Sequence, residues 1–67
     1  MYCLRSVCQY RDFIIMRIDG TNNFYICVPY IIHYAKRNSI NYNDYDRLYS
    51  VSDSKRYIDN IYKGTSI

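Results

Sequence analysis

The segment Asp12 to Ile18, DFIIMRI, is β-branched and aromatic and runs straight into Asp19-Gly20, after which a second run of the same kind, Asn23 to Val28, continues the chain. Such runs around an Asp-Gly pair predict a β-hairpin, because glycine supplies the positive φ that a tight turn needs. A two-residue turn sets Ile15 opposite Phe24 and Phe13 opposite Ile26, and gives that side of the ladder a continuous apolar stripe with Val28, facing the core. A looser loop through Thr21-Asn22-Asn23 shifts the register, and a slip of one residue exchanges the faces. The hairpin 12–28 is expected at the centre of the sheet.

Pro29 cannot continue a central strand and suits the first position of a helix. Tyr30, Ile31, Ile32, Tyr34 and Ala35 then fit one or two helical turns, with Lys36 and Arg37 near the end where cations are favoured. Asn38 to Asp44, NSINYND, reads as a surface loop because its residues bond their own backbone in turns. It returns the chain to Tyr45 to Tyr49, the expected third strand. Ser50 and Asp53 then form a capping box with Asp in place of the usual Glu. Val51, Ser54, Ile58, Ile61 and Tyr62 fall on one face of the helix 51–63 at helical spacing, and Gly64 is expected to end it. The other face carries Asp53, Lys55, Arg56, Asp59, Asn60 and Lys63, with Asp59 and Lys63 as a supporting pair. The expected class is α+β: a small three-stranded antiparallel sheet packed against a C-terminal helix, with a short helix or loop insertion over 29–44.

With 67 residues there is room for one small domain, taken as 1–67. A core of that size seldom supplies more than about 3–5 kcal/mol, so a deep catalytic cleft is not expected and binding is. Hydrophobic residues at 49% and charged residues at 22% place the chain with folded proteins rather than disordered ones. The net charge is +3, from nine Lys and Arg spread along the chain among six acidic residues. A duplex binder usually concentrates its basic residues in a stripe. Met1 to Arg11 holds no apolar stretch of signal-peptide length, and the longest apolar run, Phe24 to Ala35, falls short of the roughly 20 residues that span a bilayer. The expectation is a cytoplasmic protein without membrane contact, whose cysteines Cys3, Cys8 and Cys27 are thiols.

The residues Tyr10-Arg11-Asp12-Phe13-Ile14, a hairpin, a third strand and then Ser50-Val51-Ser52-Asp53-Ser54-Lys55-Arg56-Tyr57-Ile58-Asp59 make a pattern over roughly 10–63. It resembles short accessory proteins of phages and mobile elements, which combine an aromatic hairpin with a Ser-aliphatic-x-acidic-small-Lys-x-Tyr-Ile-Asp helix. This chain departs from them by the insertion Pro29 to Asp44. The resemblance implies a protein that binds and inhibits a host defence protein or ribonucleoprotein, such as a CRISPR-Cas component in the manner of anti-CRISPR proteins. It transfers no functional residue.

The residues themselves argue against catalysis. A structural zinc site needs four Cys or His ligands at tight spacing, and the three Cys and one His do not supply them, so no metal and no cofactor is expected. Cys27 and His33 are a conceivable thiolate pair, but Cys27 lies in mid-strand with no further catalytic group beside it. Asp44 and Asp46 sit in an Asn-rich loop and read as solvated.

Ten residues are Tyr, which AT-rich coding alone would favour. A small core can use a few, ring inside and hydroxyl outside; Tyr49, Tyr62, Tyr10 and Tyr34 are assigned to it. Tyr25, Tyr30, Tyr42, Tyr45 and Tyr57 are then left outside. Exposed Tyr beside Arg is the mixture of protein-protein hot spots, so Tyr25, Tyr30, Tyr42, Tyr45 and Arg47 are the expected partner-binding residues of a non-enzymatic interaction protein. The second expectation is a nucleic-acid-binding regulator using Tyr25, Arg17, Lys36 and Arg37 on RNA or single strands. The even charge distribution favours the first. An exposed Tyr-rich edge strand also allows a homodimer.

Overall fold

The structure is a computed structural model and describes residues 3–20, 23–36 and 38–65. Strands β1 (Cys3–Tyr10), β2 (Phe13–Asp19) and β3 (Phe24–Pro29) form an antiparallel sheet in the order β1-β2-β3. Helix α1 (Tyr30–Lys36), a 3-10 turn (Tyr42–Asp44) and helix α2 (Val51–Thr65) come next in the chain. The expected α+β class and its C-terminal helix are therefore present, and β2 rather than the hairpin as a whole is central.

The third strand is not Tyr45–Tyr49 but Cys3–Tyr10, on the other side of β2. Its alternation is hidden by a bulge: Ser6 pairs with Met16 and Cys8 with Ile15, leaving Val7 as the extra residue. A bulge adds one residue to one strand and re-phases the residues beyond it. Leu4 thus packs with Ile18 on one face, whereas Cys8 and Tyr10 pack with Ile15 on the other. In 45–49 only Leu48 pairs, with Tyr25, through backbone bonds of 2.7 and 2.8 Å. Tyr45 packs on one face of the sheet and Leu48 on the other, so this segment passes around the β3 edge instead of lying along it.

The hairpin uses the looser loop. Ile18 pairs with Phe24, Met16 with Ile26, Ile15 with Cys27 and Phe13 with Pro29, in place of Ile15 with Phe24 and Phe13 with Ile26. Thr21 and Asn22 lie outside the described residues. The shift is odd, so the expected single stripe is divided between two faces, as a period of two requires. Ile14, Met16, Ile18, Ile26 and Val28 form one buried cluster, against which Leu4, Phe24, Ile40, Tyr42 and Tyr45 pack. Ile15 and Cys27 form the other with Ile58 of α2. β2 is buried on both sides, which explains why DFIIMRI reads as nearly continuous apolar sequence.

Pro29 closes β3 rather than opening α1. As an edge strand β3 tolerates a residue without an amide donor, and the next amide, Tyr30 N, donates to Asp12 O at 2.7 Å. Ser50 caps α2: its Oγ accepts from Asp53 N at 3.0 Å, and its carbonyl accepts from Ser54 N at 3.0 Å and Ser54 Oγ at 2.9 Å. That last bond satisfies the hydroxyl of fully buried Ser54. Ser54 and Ile58 are buried while Val51 and Tyr62 pack beside them, as the spacing predicts, whereas Ile61, expected on the same face, is only half-buried. Tyr57 joins this packing too and donates to Asp46 Oδ2 at 3.0 Å, so it is not an outward residue. Gly64 does not stop the helix, which continues to Thr65.

Candidate partner-binding surface

Helix α1 buries none of its side chains. Its residues are apolar at nearly every position, so in a seven-residue helix lying over one sheet face the sides turned away from the sheet are apolar as well. Ile31 is 77% exposed and Tyr34 76%, with Tyr30 and Ile32 also exposed. The rings of Tyr30 and Tyr34 lie 6.1 Å apart at a tilt of 31°. With His33 they border an open groove of about 370 Å³ whose floor is Ile14. Single exposed apolar residues are ordinary on a protein surface, but contiguous ones mark contact sites. No acidic residue lies between Pro29 and Asn43, while His33 and Lys36 stand in the last turn of α1. The surface is therefore apolar, with the cation Lys36 at its C-terminal end.

The residues expected to bind a partner do not form one surface. Tyr30 belongs to the α1 surface. Tyr42 and Tyr45 are half-buried and pack on the Ile14–Met16–Ile18 cluster, so they close the core rather than stand clear of it. Tyr25 is half-buried on the opposite face, beside Ile15 and Cys27. Arg47 is exposed, but its guanidinium sits 5.4 Å from the Phe24 ring centroid and donates from Nη2 to Asn43 Oδ1 at 3.3 Å, which fastens the loop. Tyr34 and Tyr49, assigned to the core from the sequence, are exposed at 76% and 74%. Tyr49 meets the edge of Phe24 at 5.5 Å. Ile31 and Tyr34 carry a signal in the sequence: a short helix apolar at adjacent positions cannot turn all of them toward one sheet.

The nucleic-acid set is likewise divided. Arg17 and Tyr25 are neighbours across β2 and β3, whereas Lys36 belongs to α1, which lies by Ile14 on the other face. Arg37 lies outside the described residues.

Cys27 and His33 are kept apart by the sheet. The Cys27 thiol lies under α2 and donates to Ser54 O at 3.5 Å, while His33 borders the groove over Ile14. Burial pushes the Cys27 thiol up to about 11, against a lowering by the Ser54 contact; it stays protonated at neutral pH and is a poor nucleophile. Cys3 is exposed and Cys8 half-buried, and all three cysteines are free. Among the described residues no group of three His, Cys, Asp or Glu is placed to hold a metal ion.

A polar cluster joins the β1–β2 turn to α2. Asp59 accepts from the Tyr10 hydroxyl at 2.9 and 3.1 Å and pairs with Arg11 Nε at 3.1 Å, which places Asp59 against the sheet rather than on the outer face. The Arg11 guanidinium lies 4.7 Å from the Tyr62 ring centroid, and the Tyr62 hydroxyl donates to Asp12 Oδ2 at 2.8 Å. These groups pair with one another and read as a clamp.

Fold and surface together define a small α+β protein with an antiparallel three-stranded sheet, a covering helix and an apolar helix left outside. Comparison with known proteins finds no matching family model, curated protein or solved structure. Among the described residues no helix is long and apolar enough to cross a membrane.

Proposed function

We propose that this is a non-enzymatic interaction protein that holds a partner protein through α1. The observation that carries the reading is the exposure of Ile31 and Tyr34, 77% and 76%, on a helix with no fully buried residue. Removing such side chains from water is worth about 1.5–3 kcal/mol each, which a chain this small would gain internally if the helix served only its own fold. The fitting partner presents an apolar cleft with a carboxylate at its edge, because α1 carries the cation Lys36 and no acidic residue. Occupation of a host defence protein, the role implied by the resemblance to phage and mobile-element accessory proteins, would use a surface of this kind.

The test places a photo-crosslinking phenylalanine analogue at Ile31 or Tyr34, with Lys55 on α2 as the control, in the cell that produces the protein. The expected result is a discrete adduct with another protein from both α1 positions and none from position 55, lost in the Lys36→Glu background. An adduct with a second copy of this chain, or crosslinking from position 55 alone, overturns the reading.

A further inference from the structure

Arg5 and Arg17 are direct partners across β1 and β2, and Tyr25 is the partner of Arg17 on β3. This row lies on the α2 face, one step along the strands from Ile15 and Cys27, which Ile58 covers. Like charges directly opposite one another on a sheet repel. The fold offsets this with one carboxylate: Asp19, two residues on from Arg17, approaches Arg5 Nη2 at 3.0 Å and Arg17 Nε at 3.5 Å. One acid between two guanidinium groups leaves the cluster with an excess positive charge.

The donors are also underused. Each guanidinium carries five N–H groups in a planar fork. Arg17 Nε is closed off from solvent and makes no hydrogen bond, since its approach to Asp19 is too long for a good one. Among the described residues Asp19 is the carboxylate it pairs with. The outer parts of both groups remain open, with side-chain exposures of 72% for Arg5 and 40% for Arg17. The solvent-facing N–H groups of the paired arginines, rather than the closed-off Arg17 Nε, suit an oxyanion of charge near −2, and bidentate geometry makes Arg the usual partner of phosphate.

We propose that Arg5 and Arg17 together bind a phosphate group on this face of the sheet, with Asp19 as the internal competitor for the same donors. The site is separate from the α1 surface and does not depend on it. The shared chemistry is the phosphate dianion, carried either by free phosphate or by a nucleotide, whose base would reach toward Tyr25.

The experiment tracks the Arg Nε–H signals of the isotopically labelled protein by NMR during titration with inorganic phosphate, and separately with a nucleoside monophosphate, at ionic strength held constant with chloride. The expected result is a saturable, joint shift of the Arg5 and Arg17 signals. Asp19→Asn should bind phosphate about tenfold more tightly, the worth of one charge-assisted contact no longer contested. Arg5→Gln, at an exposed position where the fold is retained, should abolish saturation. Tighter binding of the nucleotide with Tyr25 signals moving assigns the nucleotide as ligand, and equal binding assigns the phosphate group alone. Shifts that do not saturate, or that persist unchanged in Arg5→Gln, overturn the proposal, as does Asp19→Asn binding no better while its amide spectrum remains folded.

Discussion

Tyr10, the last residue of β1, donates its hydroxyl to the carboxylate of Asp59, forty-nine residues further along the chain. Arg11 reaches the same carboxylate from a left-handed backbone, φ 54°. A non-glycine residue in that region carries a steric cost, and here the side chain is held between Asp59 and the ring of Tyr62. Tyr10→Phe should lower stability by about 1 kcal/mol. Asp59→Ala should cost more, because it also releases Arg11. A urea double-mutant cycle of Tyr10→Phe with Asp59→Asn checks the link: additive losses would mean that the two residues do not couple.

Ile58 is the residue by which α2 closes the sheet. Ile58→Ala should cost about 2–5 kcal/mol, comparable with the whole net stability of a domain this size, and Ile58→Asp should unfold it by burying an unpaired carboxylate. Lys55 lies 5.5 Å from the Tyr10 ring centroid on the exposed side, a contact worth about 0.5 kcal/mol, so Lys55→Ala should melt almost as wild type. Circular dichroism melts showing both variants equally folded would refute the assignment of the buried face.

The cysteines should react in order of exposure. A thiol-disulfide reagent should modify Cys3 first and reach Cys27 only on unfolding. Because the folded pKa of Cys27, about 11, lies above its ordinary value of 9.0, the folded state holds the proton more tightly. The stability this contributes is complete below about pH 9 and is lost as pH rises toward about 11. Tyr57, raised by burial and by its bond to Asp46, adds to the loss in the same direction. Urea midpoints across the alkaline range should therefore fall, and fall less steeply in Cys27→Ala.

The tyrosines should divide by role. Tyr42→Ala and Tyr45→Ala should destabilise the fold by more than about 1 kcal/mol, since each strips packing from the Ile14–Met16–Ile18 cluster. Ile31→Asp should leave the melting curve near wild type and weaken partner binding by about 2 kcal/mol or more. A stable Tyr45→Ala variant that loses binding would return the contact surface to the loop.

Local signals are the ones legible in the sequence. The capped helix can be read over 51–63, short of its observed end at Thr65, because Ser50, Ser54 and Ile58 act within single turns. The hairpin is visible too, but its register depends on a loop geometry that Asp19-Gly20 alone does not fix, and a shift of odd number moves Ile15 from the Ile26 side to the Cys27 side. β1 escapes notice because Val7 interrupts the alternation by which a strand is recognised. The candidate surface is half visible: Tyr30 stands out, but Tyr42 and Tyr45 look exposed from their loop position, and only the third dimension shows the loop folded back on the sheet.

Val7 has one more effect. β1 is the outer strand, and among the described residues its far side has no neighbour within the sheet. An eight-residue strand with a straight, open margin would be a template for chain-upon-chain stacking into fibres. The extra residue breaks the margin into Cys3–Ser6 and Cys8–Tyr10 and increases the local twist, so backbone groups of an incoming strand cannot stay in step along it. The same irregularity that brings Tyr10 to Asp59 thus also gives this edge one of the features by which sheet proteins discourage edge-to-edge pairing.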